Sequence, residues 1–320
     1  MAFKSINPTD GTVLATFDEL SPKEVEQKLE RAHTAFKEWR GSSFEDRAAA
    51  LRKAAEILVS EKEVWARLMT LEMGKPFKQG VAEVEKCAST CRYFADNGSR
   101  LLADQPIATE SDSKLRYLPL GILLSVMPWN FPFWQVFRCL APAVMAGNGM
   151  VLKHASNVPQ CALGIEDIMK RSGLPAGVFT TLLIGSAKVA DVIRDPRIAA
   201  VTLTGSEGAG ASVGAAAGAA LKKCVLELGG NDPFIVLPTA DLDKAVATGV
   251  QARVVNNGQS CVCAKRFIIH RDVYDAFEEK FTAEMVSLVV GDPMDDATQI
   301  GPIATEDGAQ SIERQVNESI

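Results

Sequence analysis

Between Gly121 and Leu228 short apolar runs alternate with helical stretches, and that alternation limits the possible folds more than any other feature of the chain. Residues 122–126, 150–153, 178–184, 199–203 and 223–228 read as buried strands. Helical spacing fills the intervals at 133–145, 159–170, 187–194 and 209–220. Repeated βα units with buried strands predict an α/β fold with a doubly wound parallel sheet, whose ligand lies at the strands' carboxyl ends. A further unit follows Gly230, with a strand at 234–237, a helix at 240–255 and a strand at 266–270.

The first hundred residues differ in texture. Ser21-Pro22-Lys23-Glu24 is a capping box with proline at the first helical position, and Val25, Leu29, Ala32 and Phe36 continue at helical spacing to Trp39. Periodic stretches at 48–58, 64–73 and 81–94 predict more helices. The polar segment 101–118 ends in the alternating run Lys114-Leu115-Arg116-Tyr117-Leu118, which reads as a half-exposed strand in a projecting arm.

Composition narrows the function classes. A net charge of -6 argues against nucleic acid or an anionic membrane as partner. No apolar stretch reaches the roughly 20 residues of a membrane span, and the N-terminus has no secretory h-region. The seven cysteines form no C-x-x-C pair and there are only three histidines, so no metal site is expected and reduced cytoplasmic thiols are.

Four segments carry chemistry. In Asn256-Asn257-Gly258-Gln259-Ser260-Cys261-Val262-Cys263, Cys261 follows a glycine turn and is either a presented nucleophile or a small core residue. In Glu227-Leu228-Gly229-Gly230, Glu227 is a general base at a strand end or a surface acid before a turn. Pro128-Trp129-Asn130-Phe131-Pro132 fixes an asparagine whose NH2 can meet an oxyanion, or is a rigid aromatic turn. Thr204-Gly205-Ser206-Glu207-Gly208-Ala209-Gly210 suits a pyrophosphate at a helix N-terminus, or close helix–sheet packing. Its glycines only approximate the dinucleotide fingerprint.

In this order and spacing the four segments resemble the aldehyde dehydrogenase superfamily, from about Asn7 to the last residue. Within it the chain is similar to bacterial succinate-semialdehyde dehydrogenases, through residues 127–132, 152–158 and 219–237, and through Gly291-Asp292-Pro293-Met294 and Gly301-Pro302. The resemblance implies a Rossmann-type cofactor domain over residues 1–229, interrupted by an oligomerisation arm at about 101–119, and an incomplete α/β catalytic thiol domain over 230–320. It implies Cys261 as nucleophile, with Asn130 and the nucleophile's own N–H as oxyanion donors. Loss of hydride from the adduct leaves a thioester, which water activated by Glu227 hydrolyses to the acid.

Lys153 matches the family's cofactor lysine, Gly205, Ser206 and Gly210 its pyrophosphate turn, and Trp129 the nicotinamide side. Ser156 stands where NAD-preferring members often carry glutamate, so NADP is expected over NAD, since a hydroxyl accepts a 2′-phosphate that a carboxylate repels. Arg138 matches an arginine that binds the substrate carboxylate in some semialdehyde-specific members; its other reading is a helix-surface residue. A second substrate arginine is replaced by Val255. Cys263 either forms a redox pair with Cys261 or is an inert neighbour.

Members of the family continue past the position of Ile320, so the E-x-F-G-P segment, the later substrate loop and the terminal strand have no counterpart. The resemblance therefore leaves three functions open: oxidation of succinate semialdehyde, oxidation of a broader aldehyde range, and cofactor binding without turnover. It implies a homodimer or homotetramer for the parent enzyme.

Overall fold

The computed structural model describes residues 2–108 and 113–320. The chain opens with an antiparallel pair, β1 (Ala2–Ile6) and β2 (Val13–Asp18), which local pattern did not predict. Four helices follow: α1 (Pro22–Trp39), α2 (Phe44–Ser60), α3 (Lys62–Met73) and α4 (Phe77–Leu101). Ser21 and Glu24 close the expected capping box, and Ser43 and Asp46 close a second one ahead of α2. Helix α3 stops at Gly74, whose φ of 80° suits only a residue without a Cβ.

The arm contains a short antiparallel pair, β3 (Gln105–Pro106) and β4 (Lys114–Leu115), braced by Asp104 against Lys114 and Arg116. The part of the predicted arm at 109–112 lies outside the described residues.

The main sheet has five parallel strands: β5 (Ile122–Met127), β6 (Gly149–His154), β7 (Phe179–Thr181), β8 (Ile198–Thr204) and β9 (Lys223–Glu227). Their spatial order is β7-β6-β5-β8-β9. The connecting helices are α5 (Trp134–Met145), α6 (Pro159–Arg171), α7 (Val189–Arg194) and α8 (Glu207–Ala219). One face packs Leu152 and Met127 against Phe133, Phe137 and the helices α2 to α6. The other packs Ile122, Val151 and Val201 against Leu29, Ile193 and Val213 of α1, α7 and α8. The sheet is thus doubly wound, as the alternation required. Strand β9 departs from its apolar reading: at the sheet edge, Val225 and Leu226 stay exposed.

Beyond it, β10 (Asp232–Val236) and β11 (Ala264–Ile269) form a separate parallel pair bridged by α9 (Leu242–Val254). Phe234, Phe267, Phe277 and Phe281 make its core with α10 (Tyr274–Val286), and α11 (Glu306–Ser319) follows. No helix among the described residues is long and apolar enough to cross a membrane.

Helix α8 ends in a Schellman turn in which Lys222 N–H reaches Ala217 C=O (2.9 Å). The left-handed position of that turn carries Leu221, with φ 56° and 95% exposure, where glycine is usual. An exposed side chain that packs on nothing cannot offset left-handed strain of about 1–2 kcal/mol. Leu221→Gly is expected to raise the melting temperature by about 1–3 °C, after glycine's own entropic cost. A thermal unfolding curve shifted downward would refute this.

Candidate active site

Strands β5, β8 and β9 end on one cavity of about 450 Å³. Pro128, Trp129 and Asn130 follow β5, Gly205 and Ser206 follow β8, and Leu228 and Gly229 follow β9. After β5 the chain builds the sheet outward through β6 and β7, then returns to the other side of β5 with β8. The cavity therefore sits at the topological switch point, where crossover helices diverge and leave a crevice.

Across it lies the thiol loop. After α9 the backbone turns through three left-handed residues, Asn256 (φ 56°), Asn257 (φ 58°) and Gly258 (φ 73°). Asparagine and glycine tolerate that conformation best, and hydrogen bonds hold it. Asn257 Nδ2 donates to Gly74 C=O (2.8 Å) and Pro302 C=O (3.1 Å), and its Oδ1 accepts from Gly301 N–H (2.9 Å). Asn256 Nδ2 donates to Asn130 C=O (2.7 Å). The loop presents Cys261, half-buried, to the cavity.

Asn130 joins the two walls, its Nδ2 donating to Gln259 C=O (3.0 Å) while its Oδ1 accepts from Phe131 N–H (3.1 Å). A primary amide has two N–H bonds, so one remains. The backbone N–H of Cys261 has no acceptor among the described residues. Two unspent donors therefore accompany the thiol.

The other cysteines are placed differently. Burial pushes the thiols of Cys87, Cys139, Cys161 and Cys224 up, and that of Cys91 to about 12. Cys263 is buried, donating to Ser260 C=O (3.0 Å) and receiving Arg253 Nη1 (3.2 Å). Cys261 and Cys263 are both free thiols, and only Cys261 lines the cavity.

Glu227 and Arg138 lie together at the edge of the site rather than in its lining. Arg138 Nη2 donates to Thr204 Oγ1 (2.9 Å), a residue of the cavity wall, and sits 3.6 Å from Glu227 Oε2. Glu227 C=O accepts from Gly205 N–H (3.0 Å), tying the base candidate to the glycine turn.

Lys153 and Ser156, at the end of β6, line a cavity of about 630 Å³ with Gly185, Ser186 and Lys188. Lys153 also borders an apolar slot of about 270 Å³ between α7 and α8, lined by Ile193, Ala209 and Val213. Burial pushes its ammonium pKa down, and no described residue accepts a hydrogen bond from it. The acid in the larger cavity, Glu19, is already engaged by Gly185 N–H (2.8 Å) and Lys188 (3.0 Å), which hold it at about 2. A partly buried, unpaired cation shared by two adjoining cavities fits a nucleotide's oxygens. Ser206 caps α8, accepting from Ala209 N–H (3.3 Å). Gly210 lies in the first turn of α8 against Leu228: a Cβ there would stand 2.5 Å from Leu228 Cδ2.

Residues 1–320 match the aldehyde dehydrogenase family. The chain belongs to that family. It is 52% identical to succinate-semialdehyde dehydrogenase [NADP(+)] 1 of Mycobacterium tuberculosis, covering all of this chain and 71% of that protein. It is also 52% identical to the succinate-semialdehyde dehydrogenase [NADP(+)] of Mycobacterium leprae, covering 99% and 70%. Among solved structures, Gox0499 superposes with a TM-score of 0.98 at 38% identity, covering 99% of this chain and 70% of that one. The succinic semialdehyde dehydrogenase of Streptococcus pyogenes, in complex with NADP+, gives 0.95 at 39% identity, covering 98% and 70%.

Several residues around the site were not singled out by sequence reasoning. Lys75, Gln79 and Glu83 support the two walls from outside the cavity, and His154 ties its Nε2–H to Pro132 C=O (2.9 Å). Only Asn256-Asn257-Gly258 offered a local signal, through the left-handed preference of its residue types.

Proposed function

We propose that this aldehyde dehydrogenase oxidises succinate semialdehyde to succinate, with NADP preferred over NAD. The observation that carries the reading is the meeting of Cys261 and Asn130 on one cavity, joined through Gln259 C=O. Cys261 Sγ attacks the aldehyde carbon, and the oxygen that takes up the charge is received by the spare Asn130 N–H and the Cys261 N–H. A bound nicotinamide cofactor supplies the hydride acceptor, and Lys153, Ser156, Gly205, Ser206, Gly210 and Trp129 would hold it. Glu227 then takes a proton from the water that attacks the thioester carbon, the C–S bond breaks, and the acid leaves. Ser156 brings no negative charge against a 2′-phosphate, and Lys188 already neutralises Glu19. The named relatives use the same acceptor.

In this reading Arg138 receives the substrate carboxylate. Its contact with the exposed Glu227 is of a kind worth little, so the guanidinium is available. Residues 1–229 form the cofactor domain and 230–320 belong to the thiol domain, and the enzyme works in the cytoplasm as a homodimer or homotetramer built through the arm. A broader aldehyde range is the second reading, favoured by Arg138 lying outside the cavity lining.

The test is NADPH formation with succinate semialdehyde and with butanal, repeated with NAD. A charge-assisted carboxylate contact predicts kcat/KM about 10- to 100-fold higher for the semialdehyde. Equal values would favour the broader range, and no reduced cofactor with either aldehyde would sink the proposal.

A further inference from the structure

The segment from Gly74 to Glu83 lines no part of the cavity that holds Cys261, yet its polar groups reach both walls of the site. Toward the asparagine wall, Glu83 Oε1 accepts from Phe133 N–H and Trp134 N–H (2.9 Å each), at the start of α5 three and four residues past Asn130. The other Glu83 oxygen pairs with the ammonium of Lys75, which is wholly buried. That ammonium also sits 4.4 Å from the ring centre of Phe131, the neighbour of Asn130. Toward the thiol wall, Gly74 C=O accepts from Asn257 Nδ2 (2.8 Å), and Gln79 Oε1 accepts from Asn256 N–H (2.9 Å).

Asn256 is the keystone between the walls. It is fully buried and left-handed, so its backbone N–H must find an acceptor inside the protein, and Gln79 supplies it. With its backbone fixed, Asn256 Nδ2 bridges Asn130 C=O (2.7 Å) and Gln259 C=O (3.2 Å). The chain of contacts then runs Gln79, Asn256, Asn130, Gln259 and, two residues on, Cys261. Remove Gln79 Oε1 and a buried N–H is orphaned at the turn that sets where the loop points. A shift near 1 Å between nucleophile and oxyanion donor is enough to slow such chemistry about 100-fold.

We infer that Gln79 is a positioning residue, which fixes the Asn256 turn and through it the placement of Asn130 relative to the Cys261 thiol. Lys75 and Glu83 clamp the opposite wall to the same segment. The inference rests on the proposed roles of Cys261 and Asn130.

The test compares Gln79→Ala and Gln79→Glu with the unaltered protein, and counts competent sites by iodoacetamide titration of Cys261. Glutamate keeps an oxygen acceptor at the same reach; alanine does not. Per titrated site, Gln79→Ala is expected to lower kcat about 10- to 100-fold, with KM for NADP changed less than about twofold, because Lys153 and Ser156 lie on other cavities and Gly205 and Ser206 follow β8 rather than the Asn256 turn. Gln79→Glu is expected to restore kcat to within about threefold. Iodoacetamide should also alkylate Cys261 at an altered rate in the alanine variant. Unchanged kcat per titrated site in Gln79→Ala overturns the inference, as does a loss that only tracks the number of folded sites. Cys261→Ala is the control for the underlying reading: if it keeps turnover, the proposed function fails and not this inference alone.

Discussion

Replacing Cys261 by alanine is expected to abolish NADPH formation, whereas replacing Glu227 by glutamine should leave one round of it and then stall. The two substitutions interrupt different halves of the reaction. Without Sγ no C–S bond forms and nothing is oxidised. With Sγ intact and the base removed, oxidation proceeds to the thioester, but water is no longer deprotonated as it attacks. General base catalysis contributes about 10²- to 10⁴-fold, and the steady-state rate of Glu227→Gln should fall within that range. Glutamine keeps the size of the side chain, so the glycine turn held by the residue's own C=O is undisturbed. The carboxylate rests against Arg138 at the edge of the cavity, and it must leave that contact to serve the thioester. The measurement is a rapid-mixing trace of NADPH with an intact mass spectrum of the stalled protein. A burst near one equivalent and an acyl adduct on Cys261 are expected. A steady state equal to that of the unaltered protein would remove Glu227 from the role.

What the sequence disclosed, and what it withheld, divides along a physical line. The parallel sheet was legible because a strand buried on both faces must be apolar at nearly every position, as at Ile122, Leu124 and Met127. Helix α1 was legible because its capping box is complete within four residues. Three of the four loop segments were legible together because β5, β8 and β9 deliver them to the same edge of the sheet; the thiol loop follows α9, and only the family resemblance tied it to them. The hairpin β1–β2 was not: only Phe3 and Ser5 of β1 are buried, too few to write a pattern. Neither was the support behind the site. Gln79 and Asn256 are 177 positions apart, and nothing in the neighbourhood of either residue names the other. Arg138 shows the same limit, since helix phase fixes which way it leaves α5 but not whether it meets a substrate, Thr204 or Glu227. Gly210 was read for a pyrophosphate and also packs closely on Leu228, and pattern alone does not separate the two uses, because both need the same missing Cβ.

Lowering the pH from about 6.5 toward 4 is expected to cost the protein about 3 kcal/mol of stability through His154 alone. This histidine is buried at the end of β6, and burial holds its pKa at about 4, below the ordinary 6.5. The native ring is therefore neutral, with Nε2–H donating to Pro132 C=O (2.9 Å) and Nδ1 accepting from Ala155 N–H (2.9 Å). In the unfolded chain the ring protonates as pH falls through 6.5, while the native ring does not until about 4. Over that window the unfolded state binds more protons, so its contribution to stability is complete above 6.5 and lost on the way down. Protonation would also cancel the acceptor for Ala155 N–H at Nδ1 and force a charge in beside Lys153. Urea unfolding at several pH values, for the unaltered protein and for His154→Gln, isolates this from the carboxylates that titrate in the same range. The variant is expected to be less stable at neutral pH but to lose less on acidification, so the two curves converge. Parallel curves would show that His154 does not govern the acid limit.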